Sequence, residues 1–367
     1  MSTDTKLQAI ANCARAAGVV GAGGGGFSLA DKLLARPYRT LIINAAQSEP
    51  LICKDWAVLA NYGDCVLSGA ELLREALGLT KVFLATRDEF AVALPDLPAL
   101  ARQHHVALAR LPDLYPLGYE EILKRELLAI PMDSAAAGEV LVINAETLRN
   151  LSWAVLRQRP LTTKLVTLAG AVARPISLEV PLGTSFADCL AHAGGATGAH
   201  YALFRNGVLA GRAVDPAQSW VDATTLGYVL LPLGHSAAQS PAASDATAQR
   251  LAQRRAAFLA STLAGRTQAM SAAYALFDLT PYRRARPLFH RLCADELPAQ
   301  LRIASGGECF QPCVAAGDSV RRGQAIGTRA NGVMLHASVK GLVESAETQA
   351  ILINRSAAAD ADEEAPR

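Results

Sequence analysis

Five of the six residues from position 21 to position 26 are glycine, and a short helical segment that contains Lys32 follows at once. Glycine adopts positive φ angles easily and leaves the backbone N–H groups uncovered, so such a loop is suited to hold a phosphate. A helix that begins beside the loop would add its positive end, and Lys32 would add a counter-charge. The pattern predicts a nucleotide or flavin site near the N-terminus. The alternative is a hinge or tight turn, because the spacing matches neither the dinucleotide fingerprint nor the Walker lysine motif.

Polar residues follow two of the predicted strands. Short apolar runs predict strands, and a helical stretch closed by Gly78 lies between the first two, an order typical of a βαβ unit with a parallel sheet. The first run ends at Asn44 and the third is followed by Asn144. Because open α/β sheets bind ligands at the carboxyl ends of their strands, we expect both asparagines at the ligand. The strands are predicted at 40–44, 81–86 and 140–143, and the helix at 62–77.

The pattern changes after Pro160, where short β-runs surround one helical segment, as in a small β-grasp module. A stretch rich in serine and alanine then leads to alanine-rich helices, and glycine-containing turns break up a final set of β-runs. We therefore expect an α/β protein made of a Rossmann-like domain at 1–158, a β-grasp module at 161–235, a linker with helices at 236–285, an all-β sandwich at 286–355 and a disordered acidic tail at 356–367.

Composition narrows the class of protein. Of the 367 residues 19% are charged and the net charge is +2, which favours well-filled cores and gives no electrostatic reason to expect nucleic-acid binding. No apolar run reaches the roughly 20 residues of a membrane span, and the first residues do not resemble a signal peptide, so we expect a cytoplasmic protein. Of the seven scattered cysteines, only Cys309 and Cys313 lie close together. We expect free thiols and no metal site.

Four segments of the sequence carry a resemblance to a known family, and they are residues 21–32, 41–50, 115–120 and 144–148. Together they resemble the flavin-carrying subunit of respiratory complex I and its relatives. Within that superfamily, the chain resembles the C subunit of the Rnf electron-transport complex and the microcompartment cobalamin reductase PduS. The resemblance implies that the β-grasp module is of the SLBB type and that the final block, with its turns at 314–324 and 336–341, is a lipoyl-like barrel-sandwich hybrid.

The resemblance implies a flavin mononucleotide (FMN) site at the glycine loop. FMN is favoured over a dinucleotide because no acidic ribose-binding residue ends the next strand. The loop and Lys32 would hold the phosphate, with Phe27 as an aromatic anchor. For Glu49 and Glu120 a structural role, shaping a strand exit and starting a helix, explains the residues equally well. The implied cofactor-binding residues are Gly21, Gly23, Gly24, Gly26, Phe27, Lys32, Asn44, Gln47, Glu49, Glu120, Asn144 and Thr147.

The chain departs from these relatives in three ways. Gln47 stands where family members carry an acidic residue, and Tyr119 replaces a glycine over the flavin, so NADH oxidation is expected to be slow or absent. The third departure is that no cysteine lies between Cys189 and Cys293, where the relatives carry two iron–sulfur quartets. Because each cluster needs its thiolate ligands, we expect no iron–sulfur cluster in this chain.

Two main hypotheses of function result. An FMN-binding electron-transfer flavoprotein would pass electrons between NADH or a redox partner and an acceptor. The iron–sulfur centre or other acceptor would then belong to a partner protein, in a membrane complex or a microcompartment. Alternatively, the chain is a non-catalytic scaffold or ligand-binding relative that has lost the redox chemistry. A cobalamin-handling role, which the likeness to PduS allows, is a third hypothesis.

Overall fold

The computed structural model of the chain describes residues 3–35, 37–131, 134–238, 246–283 and 288–356. The acidic tail, apart from Ser356, and the middle of the expected linker lie outside the described residues. The described residues form an α/β unit, a β-grasp unit and a C-terminal β unit, in the order that the sequence predicts.

The α/β unit is built on a parallel sheet in which the strands at 40–45 and 140–144 are mostly apolar and buried. The order β3-β2-β1-β5 places β1 between β2 and β5, with Asn44 level with Asn144. The carboxyl ends of β1 and β5 therefore meet at one edge, as expected. The strands of this unit are β1 (Thr40–Ala45), β2 (Lys81–Arg87), β3 (Ala107–Leu111), the separate short β4 (Leu114–Tyr115) and β5 (Val140–Asn144).

Helices cover both faces of this sheet. Leu41 and Ile43 pack against α1, α3 and α8 on one face, and Ile42 packs towards α6 on the other. The helix expected at 62–77 begins earlier, at Lys54, and is kinked at Tyr62 before it ends at Gly78. The helices are α1 (Thr3–Ala16), α2 (Leu29–Leu34), α3 (Lys54–Leu77), α4 (Asp88–Ala93), α5 (Leu97–Gln103), α6 (Glu120–Leu128), α7 (Ala135–Gly138) and α8 (Ala145–Arg157).

The β-grasp unit follows the sequence prediction closely. Its one helix, α9, begins after Ser185, whose side chain accepts a hydrogen bond from Asp188 N–H at 3.0 Å. Phe186 on this helix packs on Tyr228 of the sheet, with ring centroids 5.2 Å apart. The elements are β6 (Thr163–Gly170), β7 (Ile176–Pro181), α9 (Phe186–His192), β8 (Tyr201–Arg205), β9 (Arg212–Val214) and β10 (Gly227–Pro232).

The helices expected in the linker pack on the α/β unit. The strand β11 (Gln268–Ala269) pairs with β4, and it lies between α10 (Ala246–Leu263) and α11 (Met270–Leu276). Phe258 of α10 stacks on Tyr115, with ring centroids 5.8 Å apart. This segment is therefore part of the folded core.

The boundary expected at residue 286 differs from the observed one. Strand β12 (Leu288–Arg291) pairs in parallel with β7 and forms the edge of the β-grasp sheet, whose order is β12-β7-β6-β10-β8-β9. Parallel pairing between distant segments leaves no local sequence pattern, which is why the sequence alone assigns these residues to the following unit. The C-terminal β unit begins only after this strand.

Two sheets, β13-β19-β18-β15 and β14-β16-β17, form the C-terminal β unit and enclose a small apolar core. Its strands are β13 (Gln300–Ala304), β14 (Phe310–Pro312), β15 (Ser319–Val320), β16 (Ala325–Arg329), β17 (Met334–His336), β18 (Gly341–Ala346) and β19 (Ala350–Arg355). Across the described residues, no helix combines the length and the apolar character needed to cross a membrane.

Candidate functional site

The glycine loop is a closed turn that leads into α2. Gly21 N–H donates to the Phe27 carbonyl at 2.8 Å, and Gly26 N–H donates to the Gly21 carbonyl at 3.1 Å. Ala22 N–H donates to Thr147 Oγ1 at 2.9 Å, which ties the loop to α8. These bonds give the loop a defined shape, so the hinge alternative is not favoured.

The middle of the loop offers unused hydrogen-bond donors. Within the described ranges, the N–H groups of Gly23, Gly24 and Gly25 form no hydrogen bond. Gly24 has φ +105°, a conformation that favours glycine. The Phe27 ring lies against Gly25 and is 76% exposed. Successive uncovered N–H groups are a donor set that binds phosphate oxygens.

The glycine loop is also where the three units of the fold meet. A Cβ atom on Gly26 would lie 2.7 Å from the methyl group of Thr224, and one on Gly24 would lie 3.6 Å from Leu226. Arg329 of the C-terminal β unit donates to the Gly26 carbonyl at 3.2 Å. Glycine at 24 and 26 is therefore explained in part by packing against neighbouring units, and not only by space for a phosphate.

A cleft of about 740 Å³ opens beside the loop, a size typical of small-molecule sites. In it, Lys32 Nζ donates to Glu120 Oε2 at 2.7 Å and to the Val142 carbonyl at 2.8 Å, and Lys124 Nζ lies 3.0 Å from Glu120 Oε1. Burial opposes ionisation of Glu120, but the two lysines outweigh it and lower its pKa. The cleft thus brings together Phe27, Lys32 and Glu120, three of the predicted site residues.

Asn44 and Asn144 lie at adjoining strand ends, as predicted. Asn44 Nδ2 donates to the Gly118 carbonyl at 2.8 Å, and Asn144 Nδ2 donates to Asp55 Oδ1 at 3.1 Å. A Cβ on Gly23 would lie 3.4 Å from Asn144 Cβ, so the loop passes directly over this asparagine. Both amides are bonded to the scaffold, where they hold the strand ends in place.

Four charged side chains that sequence reasoning missed lie beneath the strand ends, and we call them the buried charge cluster: Lys54, Asp55, Glu146 and Lys164. Lys54 Nζ lies 2.5 Å from Asp55 Oδ1 and 3.0 Å from Glu146 Oε2, and Lys164 donates to the same Glu146 oxygen. Glu146 is fully buried and Lys54 is 1% exposed. The residues come from α3, α8 and β6, so no local motif reveals the cluster.

The charges of this cluster balance. Burial opposes ionisation of Glu146, yet Lys164 and Lys54 outweigh it and lower its pKa to about 2. Burial lowers the pKa of Lys164 to about 8, only partly offset by Glu146. For Lys54 the two carboxylates outweigh burial and raise the pKa. Two ammonium groups therefore face two carboxylates near neutral pH.

Gln47 and Tyr119 are positioned differently from each other. The Gln47 side chain is buried, and its carbonyl accepts the Asp55 N–H at 2.7 Å. Tyr119 follows Gly118, is 37% exposed, and its ring packs edge-on against Tyr115 with centroids 6.4 Å apart. Gln47 therefore holds the start of α3 from inside the protein, whereas Tyr119 lies at the surface.

Glu49 is buried against the β-grasp unit, away from the cleft lining. Its carboxylate accepts the N–H groups of Leu209 at 3.2 Å and Ala210 at 3.0 Å, and the Tyr115 hydroxyl lies 3.3 Å away. Burial is the largest influence and raises the pKa of Glu49 to about 7. These contacts favour the structural explanation of this residue.

Comparison with known families agrees with the architecture. Residues 14–153 match the family described as the Nuo51 FMN-binding domain, and residues 165–213 match the SLBB domain. The predicted resemblance to the complex I flavin subunit and the predicted β-grasp module are thereby confirmed.

Two relatives show how far the likeness extends. The chain is 35% identical over 245 residues to cobalamin reductase PduS of Citrobacter freundii, covering 65% of this chain and 53% of that protein. It is 35% identical over 207 residues to the C subunit of the ion-translocating oxidoreductase complex of Pseudomonas aeruginosa, covering 54% of this chain and 27% of that protein. The chain therefore spans about half, or less, of the length of these relatives.

A solved structure with a similar fold is the NAD⁺-reducing NiFe-hydrogenase. In its air-oxidized state the likeness has a TM-score of 0.54 at 24% identity and covers 72% of this chain and 55% of that chain. In the H₂-reduced state the likeness has a TM-score of 0.53, again at 24% identity, and covers 64% of this chain and 48% of that chain. This likeness supports the fold alone.

Proposed function

Because the chain contains a Nuo51-type FMN-binding domain and an SLBB domain, we propose that it is an FMN-binding electron-transfer flavoprotein. The observation that carries this proposal is the match over residues 14–153, which includes the glycine loop with its unused N–H donors. The scaffold hypothesis is less favoured, since the loop keeps the donors that FMN requires.

The residues present fit FMN. In this proposal the N–H groups of Gly23, Gly24 and Gly25 bind the phosphate, and Lys32 neutralises its charge. Lys32 would exchange Glu120 for the phosphate, and Glu120 would keep its contact with Lys124. Lys32 and Glu120 are both partly exposed to water in the cleft. The exchange of partners therefore leaves neither charge buried without a partner.

The remaining predicted residues would shape the flavin site. Asn144 lies directly under Gly23 of the loop, and Asn44 holds the neighbouring Gly118 segment. The Asn44 carbonyl oxygen accepts the Ala46 N–H and is able to accept a further hydrogen bond. Thr147 fixes the loop through Ala22 N–H. The Phe27 ring would cover one side of the cofactor. When bound, FMN supplies the one- and two-electron chemistry, and the protein supplies its position and electrostatics.

Electrons would reach this site from a redox partner more readily than from NADH. Gln47 places no negative charge beside the ring, and Tyr119 narrows the space where a nicotinamide would stack. Because no cysteine lies between Cys189 and Cys293, an iron–sulfur acceptor would belong to a partner protein. The Pseudomonas aeruginosa relative is by name the C subunit of an ion-translocating oxidoreductase complex, which supports such a partner.

Reconstitution with FMN tests the proposal. The purified protein is titrated with FMN, and binding is followed by the quenching of flavin fluorescence. The unmodified chain is expected to bind one FMN, and Gly24→Val is expected to bind none, because a branched side chain obstructs the loop and opposes φ +105°.

Gly317→Val is the matched control. Gly317 has φ +93° in a turn of the C-terminal β unit, and a Cβ there would meet no atom within 4 Å. The backbone strain is therefore similar, but the glycine loop is unchanged, and FMN binding should persist. An unmodified chain that binds no FMN would support the scaffold hypothesis instead.

A further inference from the structure

A cluster of potential metal ligands lies on the β-grasp unit, outside the glycine-loop site. His192 is the last residue of α9, His290 lies on β12, and Glu296 belongs to a single turn of 3-10 helix (Ala294–Glu296). One ligand atom from each of the three side chains lies within 4.8 Å of the other two, and all three residues are half-buried. Two imidazoles and a carboxylate are the ligand types of many zinc sites.

The carboxylate of this cluster is already oriented. His290 Nε2 lies 2.8 Å and 2.9 Å from the two oxygens of Glu296, and Cys293 N–H donates to Glu296 Oε2 at 2.7 Å. The Glu296 carboxyl group is thus held in place by a neighbouring N–H, an arrangement that commonly supports metal ligands.

The position of His192 extends this pair to three ligands. Its ring faces that of His290, with centroids 6.0 Å apart and planes inclined by 36°. In tetrahedral zinc sites, bonds of 2.0–2.1 Å place ligand atoms roughly 3.4 Å apart. Rotation of half-buried side chains can close the remaining gap of about 1.4 Å at most, since 4.8 Å is the upper limit of the separations.

We propose that His192, His290 and Glu296 bind a divalent transition metal ion, with zinc as the best fit, and that a water molecule occupies the fourth position. Soft or borderline ions suit imidazole ligands, whereas Mg²⁺ and Ca²⁺ prefer all-oxygen sites. The metal would join α9 to β12 and to the turn that leads into the C-terminal β unit. It would thereby fix the edge strand of the β-grasp sheet.

Metal binding can be measured directly on the full-length chain. The protein is stripped with EDTA, dialysed and titrated with ZnCl₂ by calorimetry. We expect one zinc ion per chain, and at least tenfold weaker binding in His290→Ala and in Glu296→Gln. The seven cysteines are present in every variant, so any zinc they bind contributes equally.

His104→Ala is the matched control. His104 also lies among carboxylates, with Asp64 Oδ1 at 3.1 Å and Glu71 Oε2 at 3.5 Å, but its two ring nitrogens contact them separately. Its removal should leave zinc binding unchanged. His192→Ala, at the end of a helix, provides a second test should the β12 variant not fold.

Thermal unfolding gives an independent readout. Zinc should raise the Tm of the unmodified chain and of His104→Ala, but not that of His192→Ala. The proposal is overturned if the unmodified chain binds no stoichiometric zinc, or if His192→Ala and Glu296→Gln bind it as tightly as the unmodified chain does.

Discussion

Lys32 and Lys54 are both close to the predicted flavin site, but their charges are held in different ways. The Lys32 side chain is 31% exposed in the cleft, whereas Lys54 is 1% exposed in the buried charge cluster. A charged side chain in the cleft can change partners because water solvates it while it has none. A charge in the cluster cannot, since an unpaired buried ion costs several kcal/mol. The cleft is therefore suited to binding a ligand, and the cluster to fixing the shape around it.

The largest expected effect comes from breaking the buried charge cluster. Glu146→Leu leaves Lys54 and Lys164 facing each other without their shared carboxylate. We expect a loss of about 3–5 kcal/mol in the free energy of unfolding, measured by urea denaturation. Glu121→Leu, which removes an exposed partner of Lys124 in the cleft, should cost less than about 1 kcal/mol. Equal losses would remove the distinction between the two regions.

Glu49 gives the buried region a pH dependence. Its pKa is about 7 in the folded chain and 4.5 as its ordinary value, so the folded state binds the proton more tightly. The contribution of protonated Glu49 to the free energy of unfolding is fully present below pH 4.5 and is lost as the pH rises to about 7. A difference of this size corresponds to about 3 kcal/mol.

The measurement compares unfolding free energies at about pH 5 and about pH 8. The unmodified chain should lose about 2.5 kcal/mol more than Glu49→Gln over this range, because glutamine does not titrate. Glu121→Gln, at an exposed position, should keep the loss of the unmodified chain. If Glu49→Gln leaves the pH dependence of the unfolding free energy unchanged, groups other than Glu49 cause it.

In the cleft, the expected effect is on binding rather than on stability. Lys32→Met removes the proposed phosphate partner, so FMN affinity should fall by about 1.5–3 kcal/mol, while the free energy of unfolding changes by less than about 1 kcal/mol. Fluorescence titration and urea denaturation measure the two quantities. Lys81→Met, on an exposed residue at the start of β2, should change neither. Unchanged FMN affinity in Lys32→Met would place the phosphate elsewhere.

The smallest expected effect concerns NADH. Restoring the family residues with Gln47→Glu and Tyr119→Gly should raise the rate of flavin bleaching by NADH about tenfold, which is about 1.4 kcal/mol in the barrier. The two residues act on one site, so their effects should not be additive. Stopped-flow absorbance measures the rate, with Tyr119→Phe as the control that keeps the ring. Fast bleaching in the unmodified chain would show that neither departure blocks NADH.

Local patterns predict much of the fold but not the contacts between distant segments. The glycine loop, the ends of β1 and β5 and the cap at Gly78 follow from residue types at short spacing, and the structure agrees. The buried charge cluster joins residues 54, 146 and 164, and the metal-ligand cluster joins residues 192 and 290. Neither cluster has a local sequence signal. A lysine or histidine that contacts a distant segment has the same sequence neighbours as one that contacts only water.

The same reasoning explains why Gln47 and Glu49 are difficult to interpret from sequence. Both lie in a family motif next to the predicted flavin. The resemblance implies a ligand role for Gln47, whereas for Glu49 a ligand role and a structural role explain the residue equally well. In the structure Gln47 holds the start of α3, and Glu49 holds the loop of the β-grasp unit. Motif membership identifies the neighbourhood of a residue, whereas its partner depends on where its side chain points.

The return of the chain to the β-grasp sheet limits how the protein can be divided. After β10 the chain forms α10 and α11 against the α/β unit, and it then comes back to supply β12 beside β7. A fragment that ends at residue 235, where the sequence suggests a module boundary, would expose β7 as an unprotected edge strand and invite self-association. Recombination or proteolysis at that point would not release an intact module, because β12 would be separated from the sheet that it completes.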